Sequence, residues 1–407
     1  MPRLGSDETA SGTAGLPSPT HHPRIHRHFY ALAIGSGLTL ALTAPLTAVL
    51  AMKLGAGAFA AGVSVASLPA VVLVLDVLGT RLLPYLEPRR AIVNGMLLWA
   101  VGSFVSAVAP SFAVMAGSRL VQGIGLALYA AAAPQLAVRL AGTGRVGTAM
   151  GRFQAAMTLG SAVGPLSGGA VSGIGVGTAG LRLAFAVCGL LAVCCAVYAR
   201  LTLPSMPAVI GPRWSLPSLP GMGRPRAVLG LWMGSAGQGL RGAIGLTVVP
   251  LVAAEVLNLD GVRLGVFLTA MYLIEVVTTA VLGARSDQRG RRFGIILGAA
   301  VGVLGIGVVF AAMTSTSVPV LFAAAVPLGV AGGCMFGVLP ALLVDLAGTT
   351  EVGLSATRIA RDLGSSACMV GAGAVITVAG TAAALGLCVA LYLTVGVGML
   401  VVGETRV

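Results

Sequence analysis

Arg241 and Glu275 are opposite charges 34 residues apart, each near the middle of a long apolar run. Either alone would be costly in apolar surroundings, whereas a pair is tolerable. The chemistry open to such a pair is proton exchange. A desolvated carboxyl favours its neutral form, and a nearby arginine favours the ionised one. Glu275 is therefore the expected proton carrier, with Arg241 or Arg119 as the cation that lowers or releases its affinity. A permanent ion pair fixing two helices is the alternative. Arg119 lies inside another apolar run, roughly a third of the way across a bilayer. Its alternative is a structural pair with an acid on a neighbouring helix. Asp76, near the end of a further run, is a second candidate acid.

The densest charge is in GARSDQRGRR, residues 283–292, where Arg285, Asp287, Arg289, Arg291 and Arg292 fall within ten positions. Glycines there allow a tight turn. An aspartate there can pair with arginine or cap a helix N-terminus. Pairs that form and break with opening would make this connection a conformational latch; the alternative is a topogenic role. A third pattern is Gly160-x-x-x-Gly164-Pro165-x-x-Gly168-Gly169. Glycine at four-residue spacing gives a flat face for close helix packing. Pro165 removes a backbone donor and can bend the helix.

The elements that position these residues must lie in lipid. Only 9% of the 407 residues are charged, 57% are hydrophobic, and the mean hydropathy is +0.98. A soluble domain so composed would expose large apolar patches. A spanning helix takes ~20 apolar residues. Twelve runs qualify, at about 30–51, 58–79, 91–110, 112–137, 149–172, 182–202, 228–252, 263–284, 293–313, 319–344, 356–379 and 381–402. Lipid cannot bond backbone groups, so these runs are expected as helices. Outer-membrane strands would alternate with period two in short segments instead.

Arginine and lysine set the orientation. Arg81, Arg89 and Arg90 lie between runs 2 and 3, Arg139 and Arg145 between 4 and 5, and Arg213, Arg224 and Arg226 between 6 and 7. The charged stretch joins runs 8 and 9, and the segment after run 10 leads to Arg358. The opposite connections hold only Lys53, Arg182 and Arg263. Both termini are expected in the cytoplasm and the chain in the cell membrane. The formal charge of +13 reads as this bias rather than a nucleic-acid surface, since no basic face with interleaved aromatics accompanies it.

Residues 1–28 are polar, hold all four histidines, and read as a cationic tail on anionic lipid. A cleaved signal peptide is not expected. Residues 29–203 form one six-helix unit, 204–226 a Pro-rich linker, 227–403 a second unit, and 404–407 a short end. The units repeat. Val146-Gly147 before Arg152 matches Val352-Gly353 before Arg358 at an offset of 206, as Pro134 matches Pro340. Arg89-Arg90 match Arg291-Arg292 at 202. Parallel six-helix repeats are a transporter architecture with the substrate site between them near mid-membrane.

On these residues the chain resembles the major facilitator superfamily, over essentially all of residues 29–403. GARSDQRGRR resembles its G-x-x-x-D-R-x-G-R-R loop motif, with Gly283, Asp287, Gly290, Arg291 and Arg292 matching and Gln288 in place of an arginine. The first-half copy, GTRLLPYLEPRR, has Leu83 where the aspartate falls; Asp76 or Glu87 is the expected substitute. Arg119, Gln122, Gly123 and Gly125 resemble the family's R-x-x-Q-G-x-G pattern, to which proton movement is ascribed. The glycine–proline pattern in helix 5 resembles the motif of the twelve-helix drug:proton antiporters. The resemblance implies an all-α membrane fold of twelve helices in two pseudo-symmetric bundles. It also implies proton-driven efflux of a small amphipathic drug or metabolite by alternating access, with Gln238 as a further cavity residue. The rivals are an uptake permease for a sugar or other nutrient, a non-transporting receptor, and a polytopic membrane enzyme. Helix 1 carries no acid, unlike many of these antiporters.

No enzyme-like His, Asp or Glu cluster, metal site or phosphate-binding G-x-x-x-x-G-K-[ST] loop is present in the sequence, so no cofactor or nucleotide is expected and the chain is read as a monomer. The six cysteines read as apolar packing residues. Aromatics are only 5% of the chain, which argues against an aromatic cage for a quaternary ammonium.

Overall fold

The structure is a computed structural model and describes residues 23–78, 87–141, 146–175, 177–207, 224–347 and 350–404. Its described elements are helices. In chain order they are α1 (residues 23–53), α2 (Ala58–Leu78), α3 (Pro88–Val108), α4 (Phe112–Ala141), α5 (Val146–Ser172), α6 (Thr178–Thr202), α7 (residues 225–256), α8 (Gly261–Arg289), α9 (Arg292–Ser315), α10 (Val318–Ala347), α11 (residues 350–379) and α12 (residues 381–402). Among the described residues, ten spans are long and apolar enough to cross a membrane. One of them belongs to the 53-residue helical stretch Thr350–Val402. Unbroken, that stretch would be about 80 Å long, far beyond one bilayer. Gly380 breaks it at φ 82 and ψ 172, giving α11 and α12. The helix α5 is not among the ten, because Arg152, Gln154 and its serines and glycines dilute its apolarity. The described helices thus match the twelve expected runs, and the chain is a multi-pass membrane protein.

The helix ends depart from the sequence expectation where local chemistry extends them. The helix α1 begins at Pro23, inside the segment read as a polar tail. Proline suits a first helical turn because its missing donor is not needed there. His28 Nδ1 and Tyr198 Oη, 2.7 Å apart, tie that turn to α6. At Thr43 α1 divides into Pro23–Leu42 and Ala44–Lys53, with Pro45 in the first turn of the second piece. In α7 two wider turns, Ile244–Val248 and Val252–Val256, flank Pro250. Proline cannot donate into the helical ladder and crowds the preceding turn, which loosens the hydrogen bonding around it. Of the expected linker, 208–223 lie outside the described residues, and Pro225 opens α7.

Two main apolar cores form, one almost wholly from the first six helices and the other almost wholly from the last six. The halves meet chiefly along two seams, α2 with α11 and α5 with α8, with a smaller contact between α1 and α7. Each seam rests on glycine. A Cβ at Gly62 would meet the Met369 carbonyl at 2.6 Å and Gly373 Cα at 3.2 Å. One at Gly169 would lie against Gly261 and Gly265. The Phe59 amide donates to Thr377 Oγ1 at 2.9 Å, and the Leu166 amide to Thr269 Oγ1 at 3.0 Å. Both glycine contacts lie at the helix ends remote from the arginine-rich connections. Gly169 and Gly373 are 204 residues apart, and Gly62 and Gly265 are 203 apart, so the seams are related as the sequence repeat is.

Candidate functional site

The two central charges meet. Arg241 on α7 donates from Nε to Glu275 Oε1 on α8 at 2.5 Å. Arg241 is 16 residues from the start of α7 and Glu275 14 from the start of α8, so both sit near mid-membrane. The guanidinium carbon lies 5.2 Å from the Tyr272 ring centroid and 5.0 Å from that of Phe336. Such contacts add attraction between cation and ring face. Two rings thus converge on this one cation. Gly332 leaves room for the carboxylate, since a Cβ there would approach Glu275 Oε2 to 2.8 Å. The Glu275 side chain keeps 6% of its surface and that of Arg241 37%.

A second charged group links the halves. Arg358 Nη2 on α11 donates to Asp76 Oδ2 on α2 at 2.8 Å. One turn further into α11, Arg361 holds Asp362 through Nε and Nη2 at 2.8 and 3.0 Å. Arg361 also feels the charges of Asp76 and Arg241. In all three pairs the arginine is the accessible partner, at 37, 49 and 44%, against 6, 18 and 7% for the acids. Water approaching these pairs meets guanidinium, and each carboxylate is shielded behind it. Arg361 and Asp362 were legible as TRIARDLG, three charges in five residues inside an apolar run, but only Arg358 was singled out. Tyr272 carried a weak signal, one helical turn before Glu275; Phe336 carried none.

Arg119 lies elsewhere. It is 2% exposed inside the first bundle. Its Nη1 donates to Gln122 Oε1, and Gln122 Nε2 donates to Ser103 Oγ on α3 at 2.9 Å. Its Nε has no hydrogen-bond partner, and no carboxylate pairs with it among the described residues. The neighbouring Cys188 receives Trp99 Nε1 at 3.4 Å and Thr43 Oγ1 at 3.8 Å, and donates to the Thr39 carbonyl at 3.2 Å. Arg119 is therefore held by an amide in a polar pocket of the first bundle rather than beside Glu275. Gln238 on α7 is 5% exposed.

The charged stretch is mostly helix rather than loop. The helix α8 continues through Gly283 to Arg289, and Gly290 makes the turn at φ 92. The left-handed backbone favours glycine at that position. Arg291, 2% exposed, donates to Asp345 Oδ2 of α10 at 3.0 Å and to Ser286 Oγ at 2.7 Å. The first amides of α9, on Arg291 and Arg292, donate to Glu404 at 2.8 and 3.2 Å. Glu404 thus caps a helix N-terminus, the kind of contact expected of the motif aspartate; the side chain of Asp287 lies outside the described residues. The first-half residues 79–86 also lie outside them. Of that motif, Arg90 pairs with Glu87 at 2.8 Å, and Arg89 Nη1 donates to the Leu203 carbonyl at 3.4 Å.

The helix 5 glycines divide between two faces. A Cβ at Gly160, Gly164 or Gly168 would strike α1 at Ile34, Ala41 or Leu42 respectively. Gly169 and the Pro165 carbonyl instead face α8, across the seam. The motif therefore both builds the first bundle and sets the approach of the second.

Two apolar six-helix bundles with paired charge between them define a membrane transporter fold. The Major Facilitator Superfamily model matches residues 29–369, and the chain belongs to that superfamily. Among solved structures, the nucleoside transporter NupG superposes with a TM-score of 0.72 at 12% identity, covering 93% of this chain and 98% of that one. A bacterial homolog to the human lysosomal transporter Spinster, inward-facing and occupied, gives 0.67 at 13%, covering 94% and 93%. Its inward-facing, unoccupied form gives 0.66 at 14%, covering 95% and 94%. At these identities the likeness is one of fold. No curated protein matches the chain.

Proposed function

We propose that this transporter exports a small amphipathic drug or metabolite in exchange for protons by alternating access. The observation that carries the reading is the shielded pair at mid-membrane, Glu275 behind the more accessible Arg241. With Arg241 in place the carboxylate is neutralised and water is kept from it. When the guanidinium swings away, Glu275 is left desolvated and takes a proton; when it returns, the proton leaves. A change in the approach of the halves can move Arg241, because α11, which packs against α7, is tied to Asp76 of the first half through Arg358. The helix 5 glycine–proline pattern supports the export direction through its resemblance to antiporters.

The arginine-rich connections are assigned to the cytoplasm, with both termini there, in the cell membrane. The glycine seams then close the outer side. The proton gradient supplies the energy, with no nucleotide or other cofactor, and the chain works as a monomer. Reconstitution in liposomes under an imposed pH gradient, with a panel of amphipathic dyes and drugs, tests this. Accumulation of a compound coupled to outward or inward proton counterflow is the expected result. Uptake of a sugar or other nutrient without counterflow would replace this reading with that of a permease.

A further inference from the structure

A pocket of about 450 Å³ opens where α8 turns into α9, lined by Leu282, Arg285, Ser286, Gly290, Phe293 and Gly294. Arg285 is exposed, and no carboxylate pairs with it among the described residues. Its place on α8 is regular. Leu273, Val277, Val281 and Arg285 follow at four-residue intervals, so they form one stripe along the helix. The three apolar members are 46, 63 and 44% exposed, and Phe293 across the turn is 68% exposed. From Leu273 to Arg285 the stripe runs about 18 Å, close to half the thickness of a bilayer core.

We infer that this pocket binds one anionic phospholipid. The phosphate sits at Arg285, at the membrane surface end of the stripe. The glycerol region fills the pocket against Phe293, and an acyl chain lies along Val281, Val277 and Leu273. An unpaired guanidinium at the end of a lipid-facing apolar stripe complements a molecule that is anionic at one end and oily at the other. Glu404, an acid beside the turn, accepts from the first amides of α9. Arg291 is bound to Asp345 and Ser286, and among the residues lining the pocket Arg285 is the cation. The site braces α8 against α9 from the lipid side. It is independent of which cargo the protein carries and in which direction.

Native mass spectrometry of the full-length protein from detergent, mixed with phosphatidylglycerol or phosphatidylcholine of identical chains, tests the assignment. Phosphatidylglycerol is expected to be retained preferentially. Arg285→Gln should lower its retention about tenfold, the worth of a charge-assisted contact, while Arg285→Lys keeps most of it. Phe293→Ala should weaken both lipids. Arg200→Gln, at an exposed arginine of α6, is the control for non-specific attraction to a basic protein and should change nothing. An unchanged melting temperature shows that Arg285→Gln folds. Equal retention of the two lipids, equal loss in the Arg200 and Arg285 variants, or displacement by millimolar inorganic phosphate would overturn the assignment.

Discussion

The two halves are built alike and handle buried charge differently. In the second half Arg241 has a carboxylate partner, two aromatic faces and access to water. In the first, Arg119 has an amide, a hydroxyl relay and almost no access. Dipoles can solvate a buried cation, but they offer no group that exchanges a proton near neutral pH. The two halves therefore share a packing frame, while the titratable chemistry lies between them and in the second bundle. The packing frame is preserved closely. Gly160 on α5 fits against Ile34 of α1, and Gly364, 204 residues later on α11, fits against Ser235 of α7.

That contrast yields three tests, in order of expected effect. Gly160→Leu and Gly364→Leu should be the most damaging and similar to one another, each destabilising by about 3 kcal/mol or more through a backbone clash. Thermal unfolding in detergent reads this, and a large inequality would show that the bundles are packed by different rules.

Charge removal comes next, and here the halves should diverge. Glu275→Ala strands Arg241. Water access reduces the cost below that of a fully buried pair, to about 1–3 kcal/mol. Arg119→Met removes a charge that has no carboxylate partner among the described residues and should leave the melting temperature unchanged or raise it. A loss in Arg119→Met as large as in Glu275→Ala would erase the distinction.

The smallest effect is expected at the seam. Asp76→Asn breaks an accessible ion pair and should cost no more than about 1 kcal/mol. Spin labels on α2 and α11 at the Arg358 end should nevertheless report a broader distance distribution. An unchanged distribution would mean that the pair does not restrain the halves.

The architecture was largely legible because the bilayer imposes it. Runs of ~20 apolar residues in lipid must be helices, and arginine bias orders the connections. The offset of about 204 between Gly169 and Gly373 repeats in the seams what short motif matches indicated. The meeting of Arg241 and Glu275 was legible from depth alone, since each needs a partner. Contacts set by rotation about helix axes were not. Nothing in the spacing of Arg119 distinguishes an amide partner from an acid on a neighbour. Nor does any local pattern bring Phe336 to Arg241, Asp345 to Arg291, or Glu404 to the start of α9. The charged stretch was read as a loop because its charges mark the membrane surface, but arginine, serine and glutamine also sustain a helix, and only Gly290 ends it.

The central claim is that Glu275 carries the proton. In proteoliposomes with an entrapped pH indicator and an imposed gradient, an exported amphipathic compound should discharge the gradient through the wild-type protein. Glu275→Gln should leave the gradient standing while still exchanging the compound down its own concentration difference. Gradient-driven accumulation by Glu275→Gln at the wild-type rate would contradict the account.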